Sequence, residues 1–538
     1  MNAQSLTALL RTTKRQYRIA TLLIAVLLTL AYALRKGQDV NWDQRNYHIA
    51  IPFLLLHGTL WSSVAPSGIQ SYFNPLILIP QYLVIAHLPP LIATILIALA
   101  QLPVFLIAAA ICLRIAGPDN PATGRGHVQA LLAFILCLMS PIALSEAGTT
   151  YVDLVSAIPV LGAYDLLLRP DMSRPKCATL SGALLGIATG LKLTNAVFMF
   201  GAAGLYLTVN TRSLRRLSFI IIAGFAAVLG FLLVAGFWHW QLWQKFGNPI
   251  FPYFNSVFSA DTAISPGRDP RFLPRSLSAI VTYPIYWVIG GSPNPGLLSP
   301  ASEVDPRDAR FAIVLLGTIA VIAAALARRP LKRLSRTNTG FLITWATGYL
   351  LWLFGFGVHR YMIPLEVLAG AVILCLTRFL PSPNHRTWAL AASALVSFIV
   401  LHVPSWNRLP WARHWQTIAA TPLQLNGAPL VFLTDKPTAF VAASLSPPAR
   451  LVGLYDGFDL TAGAPTVLAR HLHTELTAPR TQPYVVTDGP VPPGAAVILQ
   501  SYGLAQTGEC RPIPLPFLHS AICPLTPSGN ITPKITPR

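Results

Sequence analysis

Long apolar runs separated by short basic clusters recur along the first three quarters of this chain. Runs of bilayer-spanning length, about 20 residues each, predict helices at roughly 18–34, 90–113, 128–147, 150–168, 217–240, 310–327, 339–357, 361–378 and 387–403. The stretch 178–209 is basic at both flanks and predicts two short helices meeting near Lys192 and Thr194. Together these make an all-α polytopic membrane protein of about 11 transmembrane helices over residues 1–403, with outer loops at about 35–89 and 241–309. In the first loop, Gln44 to His57 has helical apolar spacing, and 72–87 is apolar but broken by Pro75 and Pro80; both read as helices on or dipping into the membrane surface. The second loop opens with WHWQLWQKFGNPIFPYFN (238–255), whose tryptophans suit the headgroup layer and whose Pro249 and Pro252 predict an extended turn, followed by Gly/Pro/Ser-rich segments. Beyond Pro404 the period changes. PLVFLT (429–434), ARLVGL (449–454) and PYVVT (483–487) predict short strands with helices between them, a small α/β domain over 404–538 ending in a proline-rich, disordered tail.

Composition agrees: 53% of residues are hydrophobic, only 11% are charged, and the mean hydropathy is +0.55, which excludes an ordinary water-soluble globule. The net charge of +20 reflects topology rather than nucleic-acid binding. Arg11, Lys14, Arg15 and Arg18 precede the first span and place the N-terminus in the cytoplasm. Alternate loops then hold Arg169, Arg174 and Lys176, Arg212, Arg215 and Arg216, and Arg328, Arg329, Lys332, Arg333 and Arg336, while most loop acids fall on the other side. This leaves the C-terminus outside. The first apolar segment lacks a small-residue cleavage site and reads as a signal anchor. Cys112, Cys137, Cys177 and Cys375 lie in or beside spans as apolar fillers, whereas Cys510 and Cys523 fall outside, where a disulfide can persist.

With so few charges, those beside the spans are the candidates for chemistry. NWDQRNYHIAIPFLLLHG (41–58) follows the first span, with Asp39 just before it. If it is helical, positions 43, 46 and 47 share a face, so that the Asp43 carboxylate, the Asn46 amide and the Tyr47 phenol converge on one ligand beside His48. Asp43 could then act as general base on an acceptor hydroxyl, or it could cap the helix starting at Gln44. SEAGTTYVDLVS (145–156) sets Glu146 and Asp153 around an outer turn; Thr149 or Thr150 could cap the helix that follows, leaving Asp153 in its first turn, and Asp165 reads as structural. LSGALLGIATGLKLTNAVF (180–198) places Lys192 at a helix junction, an ammonium able to hold a carrier phosphate or to snorkel to headgroups. FGFGVHRYMIPLE (354–366) supplies His359 and Arg360, whose fork suits a phosphodiester or a headgroup. Arg268, Arg271 and Arg275 read as a solvated or lipid-facing patch. There is no Walker loop, dinucleotide fingerprint or zinc spacing, and GIATG (186–190) is helix-packing sequence.

Taken together, WDQRNYH (42–48), TTYVD (149–153), ALLGIATGLK (183–192) and HRY (359–361) resemble the GT-C superfamily of membrane glycosyltransferases, which includes protein O-mannosyltransferases and the aminoarabinose transferases of lipid A. The resemblance covers roughly residues 15–403. It implies a polyprenyl-phosphate-linked sugar as donor, an outward-facing site and an extracytoplasmic acceptor that is a glycan, lipid or protein. It makes Asp43 the base, Asp153 a second active-site acid, and Lys192 and Arg360 ligands of the carrier phosphate, with Asn46, Tyr47, His48 and His359 on the substrate side. Gln44 stands where many members carry an Asp-Glu pair, which leaves the acceptor, and a divalent cation as cofactor, open. Membrane lipids are the expected surroundings, and nucleic acid is not an expected partner. Two rival classes remain, a transporter or flippase of a lipid-linked saccharide and a non-catalytic membrane scaffold whose outer domain binds a partner, and within the enzyme reading a polysaccharide polymerase or ligase using the same carrier chemistry stays open.

Overall fold

The computed structural model describes residues 14–117, 125–169, 174–209, 213–258, 269–328, 333–455, 457–516 and 518–527. The basic residues Arg11, Arg212, Arg329 and Lys332, Arg268 of the arginine patch, and the proline-rich tail lie outside the described residues. The chain divides by compactness into two units. One comprises Met1–Lys36, Ile95–Ala235 and Arg268–Trp406; the other comprises Gly37–Thr94, Gly236–Gly267 and Asn407–Arg538.

The first unit is helical. Among the described residues, four helices are long and apolar enough to cross a membrane: Lys14–Lys36, Pro90–Ala116, Arg216–Phe246 and His359–Thr377. Arg125–Leu138 and Arg310–Leu326 are apolar but shorter. Asp153–Leu167, Arg174–Leu191, Arg336–Gly355 and Pro383–Val400 occupy further expected spans. Three expectations change. The run 128–147 stops being one helix at Leu138, because Pro141 has no N–H to donate and restarts the chain as the short helix Pro141–Ser145. The run 217–240 extends into a single helix, Ser213–Phe246, of 34 residues, since nothing in HWQLWQKF breaks it before the Gly-Asn-Pro that follows; the expected loop entry is therefore helical. Within the same loop, LSAIVTYPIYWVI forms the helix Leu277–Ile289, its first turn capped by Ser276 through the Ala279 amide at 3.2 Å.

Helix Arg174–Leu191 packs closely on Ser213–Phe246 through small residues. A Cβ at Gly182 or Gly186 would run into the backbone carbonyls of Ala223 and Ala227, so the glycines let the backbones touch, as GIATG suggested. The deepest layer is built by Ile363–Thr377, which is buried along nearly its whole length among Arg125–Leu138, Pro103–Ala116 and Arg310–Leu326.

In the second unit the expected strands form. Ala428–Leu433 pairs in parallel with both Arg450–Gly453 and Thr481–Thr487, and Ala521–Pro527 runs antiparallel to Thr481–Thr487. The unbroken apolar run Leu430, Val431, Phe432 and Leu433 is wholly buried, as a central parallel strand requires. Cys510 and Cys523 are joined by a disulfide. The strand Gln38–Asp39, just after the first helix, pairs with Arg408–Leu409.

Gly186→Val should force the two helices apart at a cost on the order of 1–3 kcal/mol, seen as a lower melting temperature in detergent by fluorescence-detected size exclusion. Gly224→Ala, whose added Cβ meets nothing within 4 Å, should hold or raise it.

Candidate active site

In the second unit, the segment after Gln38–Asp39 assigns its two aspartates different work. The Asp39 carboxylate is consumed locally: it accepts from the Asn41 amide nitrogen at 3.1 Å, from Asn41 Nδ2 at 2.8 Å and from Gln44 Nε2 at 3.3 Å. Asn41 Oδ1 in turn takes the Gln44 N–H at 2.8 Å. Asp43 therefore does not cap the helix that starts beside it; it stands at the N-cap position with no side-chain cap bond, because Asn41 has taken that role. Gln44–His48 is a π-helix, a widened turn often found at functional positions. Across it, the Tyr47 hydroxyl lies 3.4 Å from Asp43 Oδ2. The expected three-way convergence is only partly realised: Asn46 turns away, its amide to the Ser67 carbonyl at 3.4 Å and its own carbonyl receiving Ser67 Oγ at 2.5 Å. His48 packs edge-on against Tyr47 with ring centroids 4.3 Å apart, and Phe73 lies edge-on to the same tyrosine at 6.0 Å.

In the first unit, the loop between Pro141–Ser145 and Asp153–Leu167 is clamped by Gln101, which accepts from the Gly148 N–H at 2.8 Å and donates to the Thr149 carbonyl at 3.0 Å. Neither Thr149 nor Thr150 caps the next helix: Val152 is at its N-cap without a side-chain bond, and Thr149 Oγ1 instead donates to the Glu146 carbonyl at 2.7 Å. Asp153 becomes the first helical residue, where the helix dipole favours its negative charge. Two cations meet it. Lys192, at the extended break after helix Arg174–Leu191, donates its ammonium to Asp153 Oδ1. Arg360, on the 3-10 turn His359–Met362, brings Nη1 to 3.6 Å from Oδ2. Aromatic faces hold both cations: Lys192 lies 4.3 Å from the Tyr361 ring centroid, and the guanidinium of Arg360 lies 4.4 Å from that of Tyr151 and 5.4 Å from that of Trp406. Asp153, Lys192 and Arg360 thus form one cluster.

His359, adjacent in sequence, is set differently. It is fully buried, its ring 4.8 Å from Trp287, with Nε2 3.8 Å from Glu366 Oε1. Arg271 pairs with Asp269 in the exposed second loop, and Asp165 is bridged by Arg114 and Arg169, the structural role expected of it.

Sequence reasoning named no role for Glu146, and it missed Asp308, Arg310 and Glu366. Glu146 is wholly buried, neither carboxylate oxygen has a hydrogen-bond partner among the described residues, and Asp153, Arg360 and Lys192 are among the charges that act on it. Its signal was present: an acid inside an apolar run. Arg310, Asp308 and Glu366 form a second, deeper ionic group, with Arg310 bonded to Asp308 at 2.8 and 2.5 Å and lying 3.7 Å from Glu366. Among the described residues no three His, Cys, Asp or Glu side chains gather as a metal site; the divalent cation left open by the sequence finds no such ligand set there.

A model of glycosyltransferase family 87 matches residues 72–355, more than half of the chain. The match includes Glu146, Asp153 and Lys192 and leaves Asp43 and Arg360 outside. Among solved structures, the crystal structure of ArnT from Cupriavidus metallidurans in the apo state superposes with a TM-score of 0.50 at 13% identity, over 94% of this chain and 97% of that one. The crystal structure of ArnT from the same organism bound to undecaprenyl phosphate gives 0.49 at 13% identity, over 97% and 98%. The likeness to the apo structure is one of fold. No curated protein sequence matches the chain.

The Asp153 cluster makes a stability prediction. Lys192→Met should leave a buried carboxylate without its hydrogen-bonded cation and cost roughly 3 kcal/mol, and adding Asp153→Asn should restore part of the loss. Thermal melts of the two single variants and the double variant in one detergent measure the coupling.

Proposed function

This chain belongs to glycosyltransferase family 87, and we propose that its reaction is transfer of a sugar from a polyprenyl-phosphate carrier to an extracytoplasmic acceptor, with Asp43 as the base. That it is a multi-pass membrane glycosyltransferase of GT-C type follows from the family, the fold and the apolar helices, and this removes the transporter reading. The finer reading rests chiefly on one observation: Lys192 and Arg360 both bear on the single carboxylate of Asp153. A pair of cations held on aromatic faces suits the phosphate of a lipid-linked donor, whose hydrocarbon stays in the bilayer while its head projects.

The chemistry asked of the protein is modest. An acceptor hydroxyl attacks the anomeric carbon, the bond from that carbon to the phosphate oxygen breaks, and the electron pair leaves with the phosphate, whose developing charge Lys192 and Arg360 stabilise. The proton of the hydroxyl passes to a carboxylate. Asp43 suits this role better than Asp39, because Asp39 already accepts several hydrogen bonds within its own turn while Asp43 is not used as a cap. Asp153 serves as the acid that orients the two cations. The eleven-span count, the cytoplasmic N-terminus and the periplasmic domain at 404–538 in a bacterial inner membrane belong to the same proposal and rest on the distribution of basic residues.

The test is transfer of radiolabelled sugar from a panel of polyprenyl-phosphate sugars in membranes holding wild type or Asp43→Asn at matched expression. Wild-type transfer from at least one donor, reduced by about 10²–10⁴-fold in the variant, is expected. Equal rates in both would remove Asp43 from the reaction, and no transfer from any donor would overturn the carrier assignment.

A further inference from the structure

We propose that Glu366 is a positioning residue for sugar transfer: with Arg310 and Asp308 it forms a buried ionic clasp that sets the acid-bearing segment 140–153 against the arginine-bearing turn His359–Met362. The proposal rests on the glycosyltransfer reading above and adds to it residues that touch no substrate.

The geometry is specific. Glu366 lies in the first turn of Ile363–Thr377, directly after the turn that carries Arg360. Its two oxygens accept separate backbone N–H groups, Oε1 that of Ile142 at 2.9 Å and Oε2 that of Ala143 at 3.1 Å. Those are amides at the start of helix Pro141–Ser145. A helix start leaves its first N–H groups unsatisfied, and here the local candidate, Ser140, donates instead to the Cys137 carbonyl at 2.7 Å. A carboxylate from a distant part of the chain thus completes this helix, which leads directly into Glu146 and, through the Gln101-clamped loop, into Asp153.

Arg310 holds the carboxylate's own backbone. Its Nη1 donates to the Glu366 carbonyl at 3.0 Å, to Ser140 Oγ at 2.9 Å and to the Leu136 carbonyl at 2.9 Å, while Nε and Nη2 are taken by Asp308. Asp308 is anchored in turn, its N–H bonded to the Trp287 carbonyl at 2.9 Å; the Trp287 ring packs on His359, the residue before Arg360. All three side chains are essentially unexposed. One guanidinium therefore ties the end of Arg125–Leu138, the 140 turn and the start of Ile363–Thr377 to one another.

Stability alone does not call for such a group, since buried ion pairs are often no more stabilising than well-packed apolar residues of the same volume. What charge adds is direction: each bond of the clasp fixes a particular oxygen to a particular N–H. The two segments it joins carry Asp153 and Arg360, whose side chains approach to 3.6 Å. A shift of about 1 Å in such groups can cost on the order of 10²-fold in rate.

The experiment uses full-length wild type, Glu366→Gln and Glu366→Ala reconstituted in liposomes, with kcat, KM for the lipid-linked donor, folded fraction and hydrogen–deuterium exchange measured on each. Glu366→Ala should lose at least tenfold in kcat per folded molecule with KM changed less than threefold, and amides 142–153 should exchange faster. Glu366→Gln, whose amide oxygen can still accept one N–H, should recover part of both. A kcat within twofold of wild type in folded Glu366→Ala, or unchanged exchange over 142–153, overturns the proposal. If Glu366→Ala does not fold, Glu366→Gln decides by the same readouts, and failure of both to fold makes Glu366 a purely structural residue and also overturns it. A wild type inactive with every donor would overturn the carrier assignment on which the proposal rests, while unchanged exchange over 142–153 in Glu366→Ala would overturn the clasp itself.

Discussion

A guanidinium cannot be taken into an apolar helical layer without bringing its counter-charges with it, and the first unit is arranged around that constraint. Arg310 is completely buried, and its donors are spent on Asp308, on two backbone carbonyls and on Ser140. Each of those acceptors belongs to a segment that would otherwise have to find its own place. Pro141 interrupts the expected long helix, and two amides at the start of the next helix, which have no acceptor within it, are met by Glu366. The break that composition alone would count as a defect thereby becomes the point at which three segments are joined.

The same economy separates the carboxylates. Asp39 and Asp43 lie four residues apart in one short stretch of sequence, yet the first is absorbed by Asn41 and Gln44 and the second is left at the head of a π-helical turn beside a tyrosine hydroxyl. Glu146 and Asp153 divide similarly. Asp153 starts a helix and meets two cations, whereas Glu146 is enclosed with no hydrogen-bond donor to either oxygen among the described residues. These differences in pairing follow from what the packing brings to each carboxylate.

Small residues complete the membrane unit. Where Arg174–Leu191 meets Ser213–Phe246, the approach is close enough that a single methyl group would strike backbone. Lys192 follows directly from that packed helix, so the position of its ammonium is inherited from a contact between glycines and alanines. Packing and charge placement are here parts of one arrangement.

Much of this was legible in the sequence, because hydrophobic runs, basic loops and alternating apolar strands are one-dimensional signals of solvent preference. They determined the helical membrane class, the junction at Lys192, short strands at 429–434, 449–454 and 483–487, each within two residues of where the strands form, and the glycine-packed helix, and motif resemblance pointed to the GT-C superfamily. Pairing is a three-dimensional property, and there the sequence was silent. It could not say that Asn41 rather than Asp43 caps the turn, that Asn46 bonds Ser67, that Asp308, Arg310 and Glu366 meet, or that Lys192 and Arg360, 168 positions apart by their numbers, share one carboxylate. Those partners are chosen by proximity in the folded chain, where each buried donor and acceptor takes whatever the packing brings within reach.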